Sequence, residues 1–225
     1  MVVDSMTQQD LMRHYPTLFH MAEDGSWESI KRFGLLSTTA LLDLFQINGS
    51  LRTAIESQRR PNSVPITHST QGTAVIRDQK PMSDAALIQC LEGMTPSAWY
   101  QLLNGKVFFW LRRERLSKLL QARAYRNSTH CVLTIVTAAL LSRHVDKIAL
   151  SPINSGSTIF KPQPRGQDTF LPITDYPFDH WSKKRGVGDA IVELAVEYSV
   201  PDISELVLKV EQVHGDTVTA VLFER

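Results

Sequence analysis

Leu18-Phe19-His20-Met21-Ala22, followed by Ile30-Lys31-Arg32-Phe33-Gly34-Leu35-Leu36-Ser37, is the stretch from which the fold is read. It predicts a short strand over 17–21 carrying a histidine, a helix over 25–33 and a sharp exit at a glycine. The helix rests on Trp27, Ile30 and Leu35 standing at helical spacing among polar residues, and Gly34 suits a left-handed C-cap. A histidine at the end of a strand can present its ring to a cleft. Upstream, residues 4–15 suggest a short polar helix stopped before Pro16. Downstream, Ser37, Thr38 and Thr39 are capping candidates for a helix over 37–47, and 50–58 continues as helix. From Arg59 to Pro81, Pro61, Pro65, Gly72 and Pro81 punctuate a long excursion with one or two short strands, flanked by Arg59, Arg60 and Arg77 and able to cover a site.

Helices follow at 83–92, capped by Ser83, and at 95–103, where Thr95 precedes Pro96 at a first helical position. Lys106 to Leu111 reads as a dense apolar strand and 114–123 as a helix with Leu116, Leu119 and Leu120 inward. Cys131 to Val136 is a strand, with a short helix at 137–143 and a strand near 147–150. Residues 151–170 are rich in Ser, Gly and Pro and read as a loop; strands are expected at 190–197, 204–213 and 216–224. Strands and helices do not alternate as βαβ units, so the class is α+β, in one domain over 1–225.

Hydrophobic residues make up 43% of the 225, enough for an ordinary globular core. The formal net charge of +1 gives no global attraction to nucleic acid, so a basic surface has to be local. Cys90 and Cys131 stand far apart in apolar surroundings, which fits a reducing cytoplasm and offers no metal cluster. No secretory leader or membrane span is expected.

Three further segments carry chemistry. In Phe108-Phe109-Trp110-Leu111-Arg112-Arg113 an aromatic strand runs into paired arginines. Either these are core and a solvated helix start, or an aromatic lines a planar slot and an arginine grips phosphate with its bidentate fork. In Ala190-Ile191-Val192-Glu193-Leu194-Ala195-Val196 a carboxylate stands inside an apolar strand. Period two puts Ile191, Glu193 and Ala195 on one face, read as the cleft face, and Val192, Leu194 and Val196 on the core face. A carboxylate buried there is costly without a partner or ligand; the bland alternative is an edge strand facing water. Glu197 lies nearer the strand end and is expected in solvent. In Ser151-Pro152-Ile153-Asn154-Ser155-Gly156-Ser157-Thr158, small hydroxylated residues around Gly156 suit anion binding or a plain surface turn. Gly166 to Phe170 belongs to the same loop. The run Arg112, Arg113, Arg115, Lys118, Arg123, Arg126 is offset only by Glu114, and forms either a nucleic-acid track or a solvated helix face. Lys183-Lys184-Arg185 beside Trp181 is a second basic cluster.

The order of early strand His, aromatic strand with Arg, and late Glu before Val200-Pro201 resembles the DarT-type ADP-ribosyltransferases, across roughly residues 17–210. The resemblance implies an ADP-ribosyltransferase-like split β-sheet core with flanking helices, and NAD as substrate without a metal. It implies that His20 positions an NAD ribose, with the Met21 backbone beside the nicotinamide amide. Phe109 first, and Trp110 second, would pack near the nicotinamide. From the Ser/Gly loop's own chemistry, Ser155 and Ser157 are the candidates for cofactor binding. Arg113 would bind pyrophosphate or assist the reacting centre. This chain has Arg112 where the family usually has Pro, which leaves that register open by one residue. Glu193 would be the catalytic carboxylate. A nucleic-acid base would be the acceptor, held by Arg112, Arg115, Lys118 and Arg123, and the protein would act as a toxin with a neutralising antitoxin partner. Two alternatives stand beside this: an RNA 2'-phosphotransferase on the same scaffold, and a non-enzymatic nucleic-acid-binding module.

Overall fold

The computed structural model describes residues 6–225, so the first part of the helix expected over 4–15 lies outside the described residues. In chain order the first half runs α1 (Gln8–His14), β1 (Thr17–Glu23), α2 (Trp27–Phe33), β2 (Leu35–Leu36), α3 (Thr38–Leu44), α4 (Gly49–Ser57), β3 (Val64–His68), β4 (Gly72–Ile76), α5 (Asp84–Cys90), α6 (Pro96–Asn104) and β5 (Lys106–Trp110). The second half runs α7 (Arg113–Leu120), β6 (Thr129–Val136), α8 (Thr137–His144), β7 (Ile148–Ser151), β8 (Leu171–Pro172), α9 (Phe178–Arg185), β9 (Glu193–Glu197), β10 (Ser199–Val200), α10 (Ile203–Leu206), β11 (Val207–His214) and β12 (Thr217–Glu224). The fold is α+β.

The local signals explain most of these boundaries. Ser37, Ser83 and Thr95 each accept a bond from the backbone N–H three residues on, at the starts of α3, α5 and α6. Gly34 ends α2 at φ 85 and ψ 174, an extended left-handed conformation rather than the αL cap expected. A Cβ there would also lie 2.6 Å from Pro201 Cα, so only glycine lets the end of α2 approach β10 this closely.

The central sheet is antiparallel, in the order β12-β11-β6-β1-β5-β9-β7-β8. Its joints are unequal. β1 pairs with β6 along its whole length, from Thr17↔Val136 to Glu23↔His130. On its other side β1 meets β5 only at Phe19↔Trp110. Beyond that position the two strands part. The main core, including Leu18, Phe109, Leu133, Leu194 and Val210, packs the sheet.

The 59–81 excursion is an ordered β3–β4 hairpin, paired from Val64↔Ile76 to His68↔Gly72. A two-stranded hairpin is marginal alone. Here Ile66 and Ile76 bury against Leu42, Phe45 and Ile55 of the α3–α4 region, at about 1.5–3 kcal/mol for each side chain removed from water.

Several expectations are corrected. The strand expected over 190–197 starts at Glu193, because Ala190 and Ile191 are tied to tyrosines instead: Tyr176 Oη donates to Ala190 O at 2.6 Å, and Ile191 N–H donates to Tyr15 Oη at 3.4 Å. The face assigned to a cleft is not open along its length, since Ile191 and Ala195 are as buried as Leu194. β9 is an internal strand, both its edges paired by β5 and β7, and Glu193 to Val196 are buried. The 204–213 strand is preceded by the helical turn α10, and α9 occupies a segment for which no element was expected.

Candidate functional site

The parting of β1 from β5 opens into a cavity of about 460 Å³ whose lining includes His20, Met21, Arg77, Trp110, Ser155 and Glu193. That volume is typical of a small-molecule or cofactor site. Three elements deliver the groups. β1 carries His20, β9 carries Glu193, and the hairpin return after β4 carries Arg77.

His20 reaches across the gap. Its Nδ1 lies 2.8 Å from the Phe108 carbonyl oxygen of β5. A carbonyl only accepts, so Nδ1 carries the proton and Nε2 is left as the ring's acceptor. Desolvation is the main cause that lowers the imidazole pKa, to about 4; the positive charge of Arg77 adds to it and the Phe108 bond opposes it. The ring is therefore neutral at pH 7. Phe109 stands beside it, ring centroids 5.7 Å apart.

Glu193 sits two strands away from β1. The row Phe19↔Trp110↔Glu193↔Ser151 crosses β1, β5, β9 and β7 in register. At about 4.8 Å per strand, the Phe19 and Glu193 backbones are roughly 10 Å apart. Glu193 is 5% exposed and its Oε2 accepts the Ser155 backbone N–H at 3.1 Å. Burial pushes its carboxyl up to about 7, against the downward pull of the Ser155 bonds and the guanidinium groups of Arg165 and Arg115. Arg165, itself 2% exposed, donates to Ser155 O at 3.0 Å and so fixes the turn that caps Glu193. Gly166 follows it with a Cβ position only 2.5 Å from Glu92 O, which holds the loop against the end of α5. Glu197 is exposed and paired with Lys106, as its position near the strand end leads one to expect.

The structure thus brings together His20, Met21, Phe109, Trp110, Ser155 and Glu193 at one cavity. It places others elsewhere. Arg113 lies outside the cavity lining, with Nη2 3.5 Å from Asp216 Oδ1 in the β11–β12 turn. The cause is helical phase: Arg113 shares the stripe of Leu116 and Leu120, which faces the sheet. Ser157 also lies outside the lining, its N–H directed to Asn154 O. Of the basic run, Arg112 pairs with Glu114 at 3.2 Å and Arg115 with Asp189 at 2.8 Å, whereas Lys118 and Arg123 are exposed. Phe108 joins the lining from the face of β5 that also bears Trp110. Among the described residues no helix is long and apolar enough to cross a membrane.

Two residues that the sequence reading did not assign to the site belong to it, Arg60 and Arg77. Their signal was present as cations flanking the excursion, but only the hairpin's return brings them to β1.

The model of a family of unknown function, DUF7002, matches residues 16–207. The chain belongs to DUF7002. No curated protein matches it. The DUF7002 match spans every group named above as lining the cavity, from His20 through Arg77 and Trp110 to Glu193, and ends at the first residue of β11.

Proposed function

We propose that the protein is an NAD-dependent mono-ADP-ribosyltransferase whose acceptor is a nucleic-acid base. The observation that carries the reading is one cavity, at a parting in an antiparallel sheet, that holds a neutral imidazole with a free acceptor nitrogen and a buried carboxylate near neutrality. The parted sheet also agrees with an ADP-ribosyltransferase-like core.

The chemistry follows from these groups. His20 Nε2 accepts a hydroxyl hydrogen of the nicotinamide ribose, a role that needs the neutral ring and the Nδ1–H tautomer fixed by Phe108. Trp110, Met21 and Phe108 supply an apolar wall for the nicotinamide. The C1'–N bond to nicotinamide breaks with its electron pair leaving on the ring nitrogen, and positive charge develops on the ribose. The Glu193 carboxylate stabilises that charge in a site with little water to screen it. A base nitrogen or oxygen then bonds to C1', and its proton passes to Glu193 and on to solvent. Lys118 and Arg123, exposed on and after α7, are available to the acceptor's phosphates. On this reading the protein acts as a toxin and has a neutralising partner protein.

The test is intact mass of single-stranded DNA and RNA oligonucleotides after incubation with protein and NAD, beside Glu193→Ala. The expected result is a gain of ADP-ribose units with wild type, lost in the variant. NAD left intact, with no adduct on either nucleic acid, overturns the reading.

A further inference from the structure

We infer that Arg77 is the anion-binding residue of the cavity, its guanidinium receiving a phosphate of the ligand whose ribose hydroxyl meets His20; this rests on the reading of the cavity as a nucleotide site. The case begins with how the cation is held. Arg77 Nη1 donates to two neutral acceptors, Ala22 O at 3.1 Å and His130 Nδ1 at 3.4 Å. His130 is 3% exposed and its Nε2–H donates to Tyr125 O at 3.2 Å, which leaves Nδ1 as an acceptor only. The Tyr125 ring lies under the guanidinium, 5.5 Å from centroid to Cζ. Every one of these partners is uncharged.

The nearby carboxylates are committed elsewhere. Asp78 accepts from Tyr125 Oη at 2.7 Å and pairs with Lys80 at 3.3 Å. Asp24 on the rim accepts from Gln212 at 2.9 Å. Among the described residues no carboxylate, Glu23 included, forms an ion pair with Arg77. The adjacent Arg60 is 7% exposed and lines the same wall. It donates to Arg77 O at 3.2 Å, Asn104 Oδ1 at 2.9 Å and Ile55 O. Arg60 therefore positions the Arg77 backbone and adds a second positive charge; Asp78 is the acid whose charge reaches Arg60, and among the described residues neither arginine forms an ion pair with a carboxylate. Arg77 is bonded to the Ala22 carbonyl, two residues along β1 from His20, and both side chains line the cavity, so the cation lies by the strand that bears the imidazole.

A guanidinium held by neutral acceptors keeps its charge and its remaining N–H donors for an anion. An imidazole acceptor next to it selects a hydroxyl. A nucleotide has both within one unit, hydroxyls on C2' and C3' of the ribose and a phosphate on O5'. This assigns to the hairpin return the role that the family resemblance gave to Arg113.

The experiment is equilibrium binding of three probes, ADP-ribose, pyrophosphate and nicotinamide riboside, to the full chain and to Arg77→Gln and Arg77→Lys. Loss of one charge-assisted contact is expected to weaken ADP-ribose and pyrophosphate about 10- to 100-fold in Arg77→Gln, with nicotinamide riboside unchanged and partial recovery in Arg77→Lys. Equal weakening of all three probes, no weakening, or no binding of the phosphorylated probes by wild type overturns the assignment. Melting curves of both variants guard against misfolding, and Arg77→Lys retains the charge should Arg77→Gln fail to fold. The outcome is separable from the transferase reading. Arg77-dependent pyrophosphate binding without NAD turnover leaves the anion site and removes the reaction. Turnover with an unchanged KM for NAD in Arg77→Gln does the reverse.

Discussion

Trp110 stands directly opposite Glu193 in the β5–β9 ladder and is at the same time the one residue of β5 that pairs with β1. The carboxylate and the start of the parting are thereby fixed by a single residue of backbone register. A shift of one position would send Glu193 to the other face of the sheet.

Glu193 burdens the fold that holds it. Its folded pKa of about 7 lies above the ordinary glutamate value of 4.5, so the fold favours the protonated form. The stability this group contributes is fully present below pH 4.5 and is lost as pH rises through about 7. The loss amounts to about 3 kcal/mol once the group is ionised. Glu193→Gln is expected to raise Tm by roughly 5–10 °C at about pH 8.5 and to converge with wild type near pH 4.5. Thermal melts across pH check this, and a difference independent of pH would refute it.

The same ionisation sets a rate limb. Base and electrostatic roles both need the carboxylate, so kcat/KM for transfer is expected to rise with pH through about 7 and then level off. Glu193→Gln is expected to lose at least about 100-fold in rate. A flat profile between pH 5.5 and 8, in about that window, would separate Glu193 from the reaction.

His20 is expected to stay neutral as the Nδ1–H tautomer down to about pH 5, since its pKa is lowered to about 4. Nitrogen-15 NMR of the imidazole reads tautomer and charge together. The folded value lies below the ordinary histidine value of 6.5, so the stability from this group is present above pH 6.5 and lost as pH falls through about 4. A ring that titrates near the ordinary histidine value of 6.5 would remove the acceptor role assigned to Nε2.

Gly34 and Gly25 form a matched pair. Both have positive φ, 85 and 74, but a Cβ at Gly25 meets nothing within 4 Å, whereas one at Gly34 meets Pro201 Cα at 2.6 Å. Gly25→Ala is expected to cost about 1 kcal/mol and Gly34→Ala more than about 2 kcal/mol. Denaturant unfolding measures both, and equal costs would mean that the contact with Pro201 relaxes freely.

The basic run is expected to divide by its pairing. Lys118→Ala and Arg123→Ala should weaken oligonucleotide binding and reduce its salt slope by about one each, with unchanged melting. Arg115→Ala frees Asp189 and should also lower Tm. Binding unaffected by Lys118 and Arg123 would place the acceptor on another face.

The legible parts of this fold are those set by short-range chemistry. Ser37, Ser83 and Thr95 mark helix starts because a cap needs only three residues to act. Glu193 is visible because a carboxylate in an apolar strand contradicts its surroundings. α9 is hard to see in the sequence because Phe178–Arg185 turns only Phe178 and Trp181 to the core and buries no residue fully. The family resemblance gives Arg113 the phosphate, whereas the phase of Leu116 and Leu120 turns it toward Asp216. Arg77 reaches the cavity through the hairpin return, a long-range event that no local pattern announces.

The joint between β1 and β5, the weakest line across the sheet, is not a place where the chain can be divided. β1, β6, β11 and β12 lie on one side of it and β5, β7, β8 and β9 on the other, so the polypeptide is laced back and forth across it. Any cut between β5 and β9 therefore leaves strands of both sides on both fragments. Fragment complementation should require both pieces to fold together, and amide exchange should register a bound ligand that bridges the line as simultaneous slowing on its two banks.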